Sequence, residues 1–158
     1  MQLQVIMQDC RTIAEFRTKA FNTTVTKPHF INPGSFGDDL LQQVSAALRA
    51  LGVRVAQAPE QEDFGWFIIF EVDGDKYCFV VGWQPGDDTV DGKWIGEVER
   101  SRGLLGSRLE RRENETSPKA TSLIHEVLSR LSDVQDLAWY RRSGEGEQSE
   151  RSAHPNSP

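Results

Sequence analysis

The sequence predicts an α+β fold, a two-layer sandwich in which two helices cover one face of a mainly antiparallel sheet of about five strands. Two separate segments, 38–51 and 118–131, carry apolar residues at the spacing of an amphipathic helix. Between them, two apolar segments flank Asp73-Gly74, a dipeptide typical of a tight hairpin turn. The predicted order is strand, helix, three or four strands, helix and strand, which favours helices on one side of the sheet.

The N-terminal part is predicted to form an extension over residues 1–22, with three alternatives for its structure: a short helix from about 10 to 20, a flexible arm or a docking segment. The helix is suggested by the helical spacing of Ile13, Phe16 and Ala20. The β-branched and aromatic segment 23–31 is predicted to be an edge strand or an irregular extended segment, because its proline lacks a backbone donor. The single α+β domain is therefore predicted to span residues 23–140.

The first helix has recognisable signals at both ends. Ser35 and Asp38 have the spacing of a capping box, and Asp38 and Asp39 fall in the first turn, where the helix dipole favours anions. Gly52 lies where a left-handed C-terminal cap is expected. The predicted buried face consists of Leu40, Leu41, Val44, Ala47, Leu48 and Leu51.

The strands are predicted on either side of the Asp73-Gly74 turn. Residues 53–59 form a short strand that returns from the first helix, and residues 66–72 and 76–83 are apolar enough to be central strands. After a loop rich in Gly and Asp at 84–92, the alternation in 93–99 predicts a third antiparallel neighbour.

The C-terminal part is predicted to contain one helix and one strand. Residues 101–115 read as a surface connection, and Ser117-Pro118 provides an N-cap and a proline at the first helical position. Residues 134–140 are predicted to be the last strand. The tail, 141–158, has no large aliphatic or aromatic residue and is predicted to be disordered.

Composition excludes several classes of protein. With 158 residues, 37% hydrophobic and 27% charged, the chain reads as an ordinary globular domain. It shows no signal peptide and no run of apolar residues long enough for a membrane span. Its two cysteines, Cys10 and Cys78, make neither a zinc site nor a disulfide framework, so we expect a cytoplasmic protein. A net charge of −6 argues against nucleic-acid binding.

Charge is unevenly distributed along the chain. Residues 60–91 hold nine acidic residues against one basic residue, a net charge of −8, whereas residues 100–112 have a net charge of +4. Such a bipolar surface steers association with charged partners, although a solvated surface with chance clustering fits the same pattern.

Motifs for catalysis are lacking. None of the three histidines has a nucleophile or a second metal ligand at a suitable spacing, and Cys78 lies in an apolar segment that predicts burial. Asp87, Thr89, Asp91 and Gly92 match the start of a calcium loop, but Val98 stands where that loop requires a glutamate. The sequence therefore predicts no catalytic residues, metal site or cofactor and favours a role other than catalysis.

Two candidate sites remain. The first is a partner-binding rim in which two tryptophans, predicted to be exposed at strand ends, are flanked by acids that face a basic cleft of a partner; the alternative is that these tryptophans close the rim of the core. Its residues are Glu62, Asp63, Trp66, Asp87, Asp88, Asp91 and Trp94. The second is a polar-ligand site in which Arg100 and Arg102 converge with Glu62 and Asp63, as in a small enzyme or a domain that binds a polar or phosphorylated metabolite.

Three motifs carry a resemblance: FINPGSFGDDL (30–40), QEDFGW (61–66) and VERSRGLLGS (98–107). Over roughly residues 28–140 the chain resembles a group of small uncharacterised bacterial proteins that have these motifs in this order. The resemblance implies a bacterial cytoplasmic protein and brings neither an activity nor site residues. In size, acidity and predicted architecture the chain is also similar in type to immunity proteins. The leading hypothesis is therefore a protein inhibitor that neutralises a toxin or effector by covering its active cleft.

Overall fold

The computed structural model describes residues 10–56, 58–63, 65–101, 116–142 and 150–156. Its elements, in chain order, are β1 (Ile13–Arg17), α1 (Asp38–Ala50), β2 (Arg54–Val55), β3 (Glu60–Glu62), β4 (Gly65–Val72), β5 (Asp75–Gln84), β6 (Lys93–Arg100), α2 (Pro118–Arg130) and β7 (Gln135–Tyr140). In the sheet the order is β2-β4-β5-β6-β1-β7, with β3 also paired to β4. These strand pairs are antiparallel.

The predicted fold class is confirmed, although the sheet has seven strands among the residues that the structure describes, rather than about five. The extra strands are β1 and the three-residue β3, neither of which has a long apolar run in the sequence. Within the described residues, no helix is long and apolar enough to cross a membrane.

The core lies between one face of the sheet and the two helices. Leu40, Leu41, Val44 and Leu48 of α1 are fully buried, and so are Ala120, Ile124 and Leu128 of α2. Alternate residues of the strands meet them, among them Ile68, Phe70, Phe79, Val81 and Trp94. The other face of the sheet is half-buried, for example at Phe67, Ile69 and Val80. The apolar stripes predicted for both helices therefore define the core side of the sheet.

The hairpin between β4 and β5 is confirmed in detail. Its ladder runs from Trp66 opposite Val81 to Val72 opposite Asp75. Asp73 and Gly74 both have positive φ, 52° and 83°, which is the geometry of a two-residue type I′ turn.

Of the alternatives for the N-terminal segment, the short helix was wrong. Residues 13–17 form β1, which lies inside the sheet between β6 and β7, and no helix covers 10–20. Ala14 and Phe16 are buried, while Ile13, Glu15 and Arg17 are half-buried, so the segment alternates as a strand does. Helical spacing of three apolar residues is compatible with either structure, and pairing with two distant strands decides between them. The domain therefore begins before residue 23.

The segment 23–31 is irregular rather than a strand, which is the second of the two predicted forms. The Asn22 side chain closes its first turn, accepting from Val25 N at 2.9 Å and donating to Val25 O at 2.7 Å. The predicted cap of α1 is also wrong, because Gly37 with φ 142° takes the N-cap position and no side chain caps the helix. A Cβ on Gly37 would lie 2.9 Å from Val81 Cγ2, so glycine allows α1 to begin close to β5.

The C-terminal part differs from prediction in the tail. Ser117 caps α2 and Pro118 opens it, as the sequence indicates. Residues 150–156, within the tail predicted to be disordered, lie against the sheet and α2. Ser152 pairs with Trp139 through two backbone hydrogen bonds of 2.7 and 3.0 Å, and Pro155 is buried. Backbone pairing and one buried proline compensate for the missing large apolar side chains.

Candidate interaction surface

The predicted acidic residues of the first candidate site lie at one end of the sheet, where β3 and β4 meet and where β5 turns into β6. Glu62 pairs with Gly65 at the start of β4, and a Cβ on Gly65 would lie against Val81 near the end of β5. The loop 85–92 leaves the sheet at the same end, after Gln84 and before Lys93. We call this surface, formed by residues 60–63 and 85–92, the acidic end.

The two tryptophans of that candidate site are not on the surface. Trp66 is 3% exposed and Trp94 is fully buried, so neither is an exposed anchor for a partner. Trp66 Nε1 donates to Ser35 O at 3.0 Å, while Trp94 packs on Trp83 with ring centroids 5.3 Å apart. The alternation of side chains along β4 predicts this burial, because Trp66 lies on the same face of the strand as the buried Ile68 and Phe70. The alternative interpretation, that the two tryptophans close the rim of the core, agrees with their burial.

A side-chain clamp at Gln61 fixes the loop beside the acidic end. Gln61 Oε1 accepts from the backbone N of Ile31 and of Asn32, at 2.5 and 3.0 Å. Its Nε2 donates to Asn32 O at 2.8 Å, and Asn32 Nδ2 donates to Asp63 O at 3.2 Å. This network, which we call the Gln61 clamp, holds Ile31 next to Glu62 and Asp63 in a defined conformation.

Sequence reasoning missed the exposed apolar residues of this region. Ile31 is 83% exposed at the clamp, and Val90 is 52% exposed in the loop of the acidic end. Trp83, near the end of β5, is half-buried, unlike Trp66, Trp94 and Trp139. No pattern in the sequence separates Ile31 from the core, and its neighbour Phe30 is indeed buried.

The loop 85–92 is an ordered turn built on Asp87. Asp87 Oδ1 accepts from Thr89 Oγ1 at 2.7 Å, from Thr89 N at 2.7 Å and from Val90 N at 2.9 Å. The hydroxyl of Thr89, followed by the two backbone N–H groups, stabilises the carboxylate and lowers the pKa of Asp87 below its ordinary value. Asp87 thus shapes the loop, while Asp88 and Asp91 are exposed around it.

Two lysines of the surrounding elements pair with acidic residues outside the acidic end, and the acidic end keeps its negative charge. Lys93 Nζ lies 2.8 Å from Glu15 on the half-buried face of the sheet, and Lys27 Nζ lies 2.9 Å from Asp38. Within the described parts of the chain, Asp63, Asp88 and Asp91 form no ion pair. Their field is therefore available to a positively charged partner.

The second candidate site is not assembled. Arg100 lies opposite Tyr77 and pairs with Asp75 at 2.9 Å, next to the Asp73-Gly74 turn. Glu62 and Asp63 lie at the other end of β4, so Arg100 does not converge with them. Arg102 lies outside the described residues.

A buried carboxylate supports the loop that carries Ile31. Asp38, at the first turn of α1, is 2% exposed, and its Oδ2 lies 2.9 Å from Lys27 Nζ and 3.3 Å from His29 Nε2. The ring of His29 packs edge-on against Trp66, with centroids 5.8 Å apart. Among the described residues Asp38 Oδ1 has no hydrogen-bond partner. The Lys27 ammonium, the His29 ring and the helix N-terminus offset the buried charge and hold residues 27–30 on α1.

A shallow groove of about 540 Å³ lies around β2, which pairs with the last part of β4. Val53, Val55 and Ile69 contribute apolar surface, and Arg49, Arg54 and Lys76 contribute positive charge, offset by Glu71. Arg54 and Glu71 are cross-strand partners, as are Glu71 and Lys76, so the charges form a ladder across three strands.

No protein-family model, curated protein or solved structure matches the chain. In the ranges that the structure describes, no group of three His, Cys, Asp or Glu side chains is arranged to hold a metal ion.

Proposed function

We propose that the protein is an inhibitor that binds another protein, an immunity-type protein that neutralises a bacterial toxin or effector by covering its active cleft. The observation that carries the proposal is the acidic end together with Ile31, which is 83% exposed, held by the Gln61 clamp and close to the exposed Asp63. Asp88 and Asp91 are exposed in the loop 85–92 at the same end of the sheet. An apolar anchor on a surface with one sign of charge is the composition of a surface that binds a partner of the opposite charge.

Each part of this surface has a distinct role in binding. The carboxylates attract a basic cleft and raise the association rate, an effect that weakens as salt screens the charges. Ile31 enters an apolar pocket of the partner, and its burial slows dissociation. The Gln61 clamp fixes Ile31 before binding, so little conformational entropy is lost when the complex forms. Occlusion of a substrate cleft then inhibits without any catalytic group.

Co-expression with the product of the adjacent reading frame tests the proposal. We expect that product to co-purify with the protein and to lose its toxicity or enzymatic activity in the complex. A product that is active and toxic at full level when mixed with a molar excess of the protein contradicts the proposal.

Matched variants locate the surface once the complex is isolated. The triple variant Asp63→Asn, Asp88→Asn, Asp91→Asn should slow association by about tenfold at low salt. The control Gln42→Lys, Gln43→Lys, Ala46→Lys changes the net charge by the same amount on the exposed face of α1 and should leave association within about twofold. Equal effects of both variants would show that net charge, rather than the acidic end, drives binding.

A second candidate function is binding of a polar or phosphorylated metabolite, and the groove around β2 favours it. Arg49, Arg54 and Lys76 would contact the anionic group, and the apolar residues would contact the rest of the ligand. Thermal-shift screening with phosphorylated metabolites tests this function: we expect a rise in melting temperature that the variant Arg54→Ala, Lys76→Ala abolishes. No shift with any such compound at millimolar concentration contradicts it.

A further inference from the structure

The outer edge of β7 is covered by residues 150–156, which we call the C-terminal segment. One isolated bridge, Trp139 with Ser152, joins it to the sheet. Asn156 Nδ2 donates to Pro118 O at 2.8 Å and to Ser122 Oγ at 2.6 Å, and Arg11 N donates to Pro155 O at 2.9 Å. A few hydrogen bonds at its two ends thus hold a short segment against β7, α2 and the residues before β1.

A histidine of the C-terminal segment packs against a histidine of α2. The rings of His125 on α2 and His154 in the C-terminal segment have centroids 4.7 Å apart. Trp139, which is fully buried, donates its Nε1 proton to His125 Nδ1 at 3.0 Å. Because an indole N–H can only donate, His125 Nδ1 must be the acceptor, and the ring proton lies on Nε2. The contact therefore requires neutral His125.

Protonation of His125 disfavours this arrangement in two ways. A proton on His125 Nδ1 would face the Trp139 N–H, so a hydrogen bond would be replaced by two opposed donors. Charges on both rings would repel each other at short range. Burial, and after it the charge of His154, lowers the pKa of His125 below its ordinary value, which is the same preference for the neutral form.

The elements packed around the pair carry other charged groups. On α2, Glu126 pairs with Arg130 at 2.7 Å. Arg11, ahead of β1, is 2% exposed and donates from Nε to Glu150 O at 3.3 Å, and Arg151 in the segment is exposed. β7 contributes Asp136, which pairs with Arg17 at 3.4 Å. Among the described residues, His154 is the charged group that acts on His125.

We propose that the C-terminal segment is a pH-sensitive cover of the β7 edge, docked while His125 is neutral and released when His125 takes up a proton beside His154. Release leaves the N–H and C=O of Trp139, the groups that pair with Ser152, exposed at the edge of the sheet.

The direction of the pH dependence follows from the lowered pKa of His125 in the docked form. Above the pKa of a free histidine, about 6.5, neither form binds the proton and docking has its full stability. As pH falls through that value towards the lower pKa of the docked form, the released form binds more protons and docking is lost.

Hydrogen exchange of the full-length protein, corrected for intrinsic exchange rates, tests the proposal at about pH 7.5 and about pH 5. We expect the protection of the Trp139 and Ser152 amides to fall by about tenfold or more at the lower pH, while the amides of the β4–β5 ladder keep their protection. Unchanged protection of Trp139 and Ser152 overturns the proposal. A parallel loss in the β4–β5 ladder overturns it as well, because the whole sheet would then be opening.

Two histidine variants separate the pair from general acid effects. His154→Gln replaces the ring that contacts His125 by an uncharged side chain at an exposed position and should reduce the loss of protection between the two pH values to about threefold or less. His29→Gln, at the exposed histidine that contacts Asp38, should leave the loss as in the unmodified protein. If both variants behave alike, the histidine pair does not control the segment.

Discussion

The Gln61 clamp and the C-terminal segment are two ways of fixing a loop against a strand, and they differ in the groups that make the contact. At the clamp a carboxamide bonds to the backbone of Ile31 and Asn32 through its oxygen and its nitrogen. At the β7 edge the contacts include a histidine pair and an indole N–H that needs a neutral acceptor. An amide does not titrate near neutral pH, whereas histidine does. We therefore expect the contact at Gln61 to be independent of pH near neutrality and call it the constant contact. The contact at the β7 edge should depend on pH, and we call it the conditional contact.

The largest effect is expected from Gly65→Ala, which should break the acidic end. Gly65 has φ 155°, and a Cβ there would lie 2.1 Å from Val81 O, a backbone atom that cannot turn away. We expect a loss of about 3 kcal/mol in the free energy of unfolding, measured by denaturant titration. The control Gly74→Ala, with φ 83° and open space around it, should cost about 1–2 kcal/mol. Equal costs for both variants would contradict the close approach of β4 and β5.

Trp139→Phe acts on the conditional contact. The buried indole would leave space unfilled and His125 would lose its donor, so the free energy of unfolding should fall by about 2 kcal/mol. Because no N–H then opposes a proton on His125 Nδ1, the pKa of His125, followed by NMR, should also rise towards its ordinary value. A pKa that stays as low as in the unmodified protein would show that the indole has no part in the pH dependence.

Gln61→Ala acts on the constant contact. Four hydrogen bonds to a partly exposed loop are lost, and we expect a decrease of about 1 kcal/mol in the free energy of unfolding, the same at about pH 5 and pH 7.5. Gln43→Ala, at an exposed position of α1, is the control and should change stability by less than about 0.5 kcal/mol. A decrease that varies with pH would mean that the clamp is coupled to a titrating group.

The smallest effect is local and lies in the loop of the acidic end. The three donors around Asp87 lower its pKa, so the turn they form is complete above the ordinary value of 3.8 and is lost as pH falls through the lower pKa of the folded form. NMR titration of the Thr89 and Val90 amides should show this midpoint below 3.8. In Asp87→Asn the same amides should lose their dependence on acid. A midpoint at or above 3.8 contradicts the turn described here.

Local patterns predicted the elements whose partners are close in the chain. The two helices and the β4–β5 hairpin were predicted because their apolar stripes and the Asp73-Gly74 turn lie within short segments. β1 was missed because its five residues fit a helix or a strand, and its partners β6 and β7 lie far along the chain. Tertiary pairing therefore decided what the local pattern left open.

The candidate site was predicted in part for the same reason. The acids flank recognisable turns, so their grouping at one end of the sheet follows from the hairpin arrangement. Trp66 and Trp94 were misplaced because their positions at strand ends were given more weight than the alternation that turns them to the core. Ile31 carries no signal in the sequence, since its exposure depends on the side chain of Gln61, which lies thirty positions further along.

The place of β1 in the sheet also governs the order of folding. β4, β5 and β6 can pair in sequence as soon as they are synthesised, since each neighbours the next. β1 is made first, yet it must wait for β6, and β7 can join the sheet only through β1. Closure of these distant pairs is entropically costly and slow, so we expect the last step of folding to be the assembly of both chain ends into one edge. Removing residues 1–22 would therefore remove β1 and leave β7 without its strand partner.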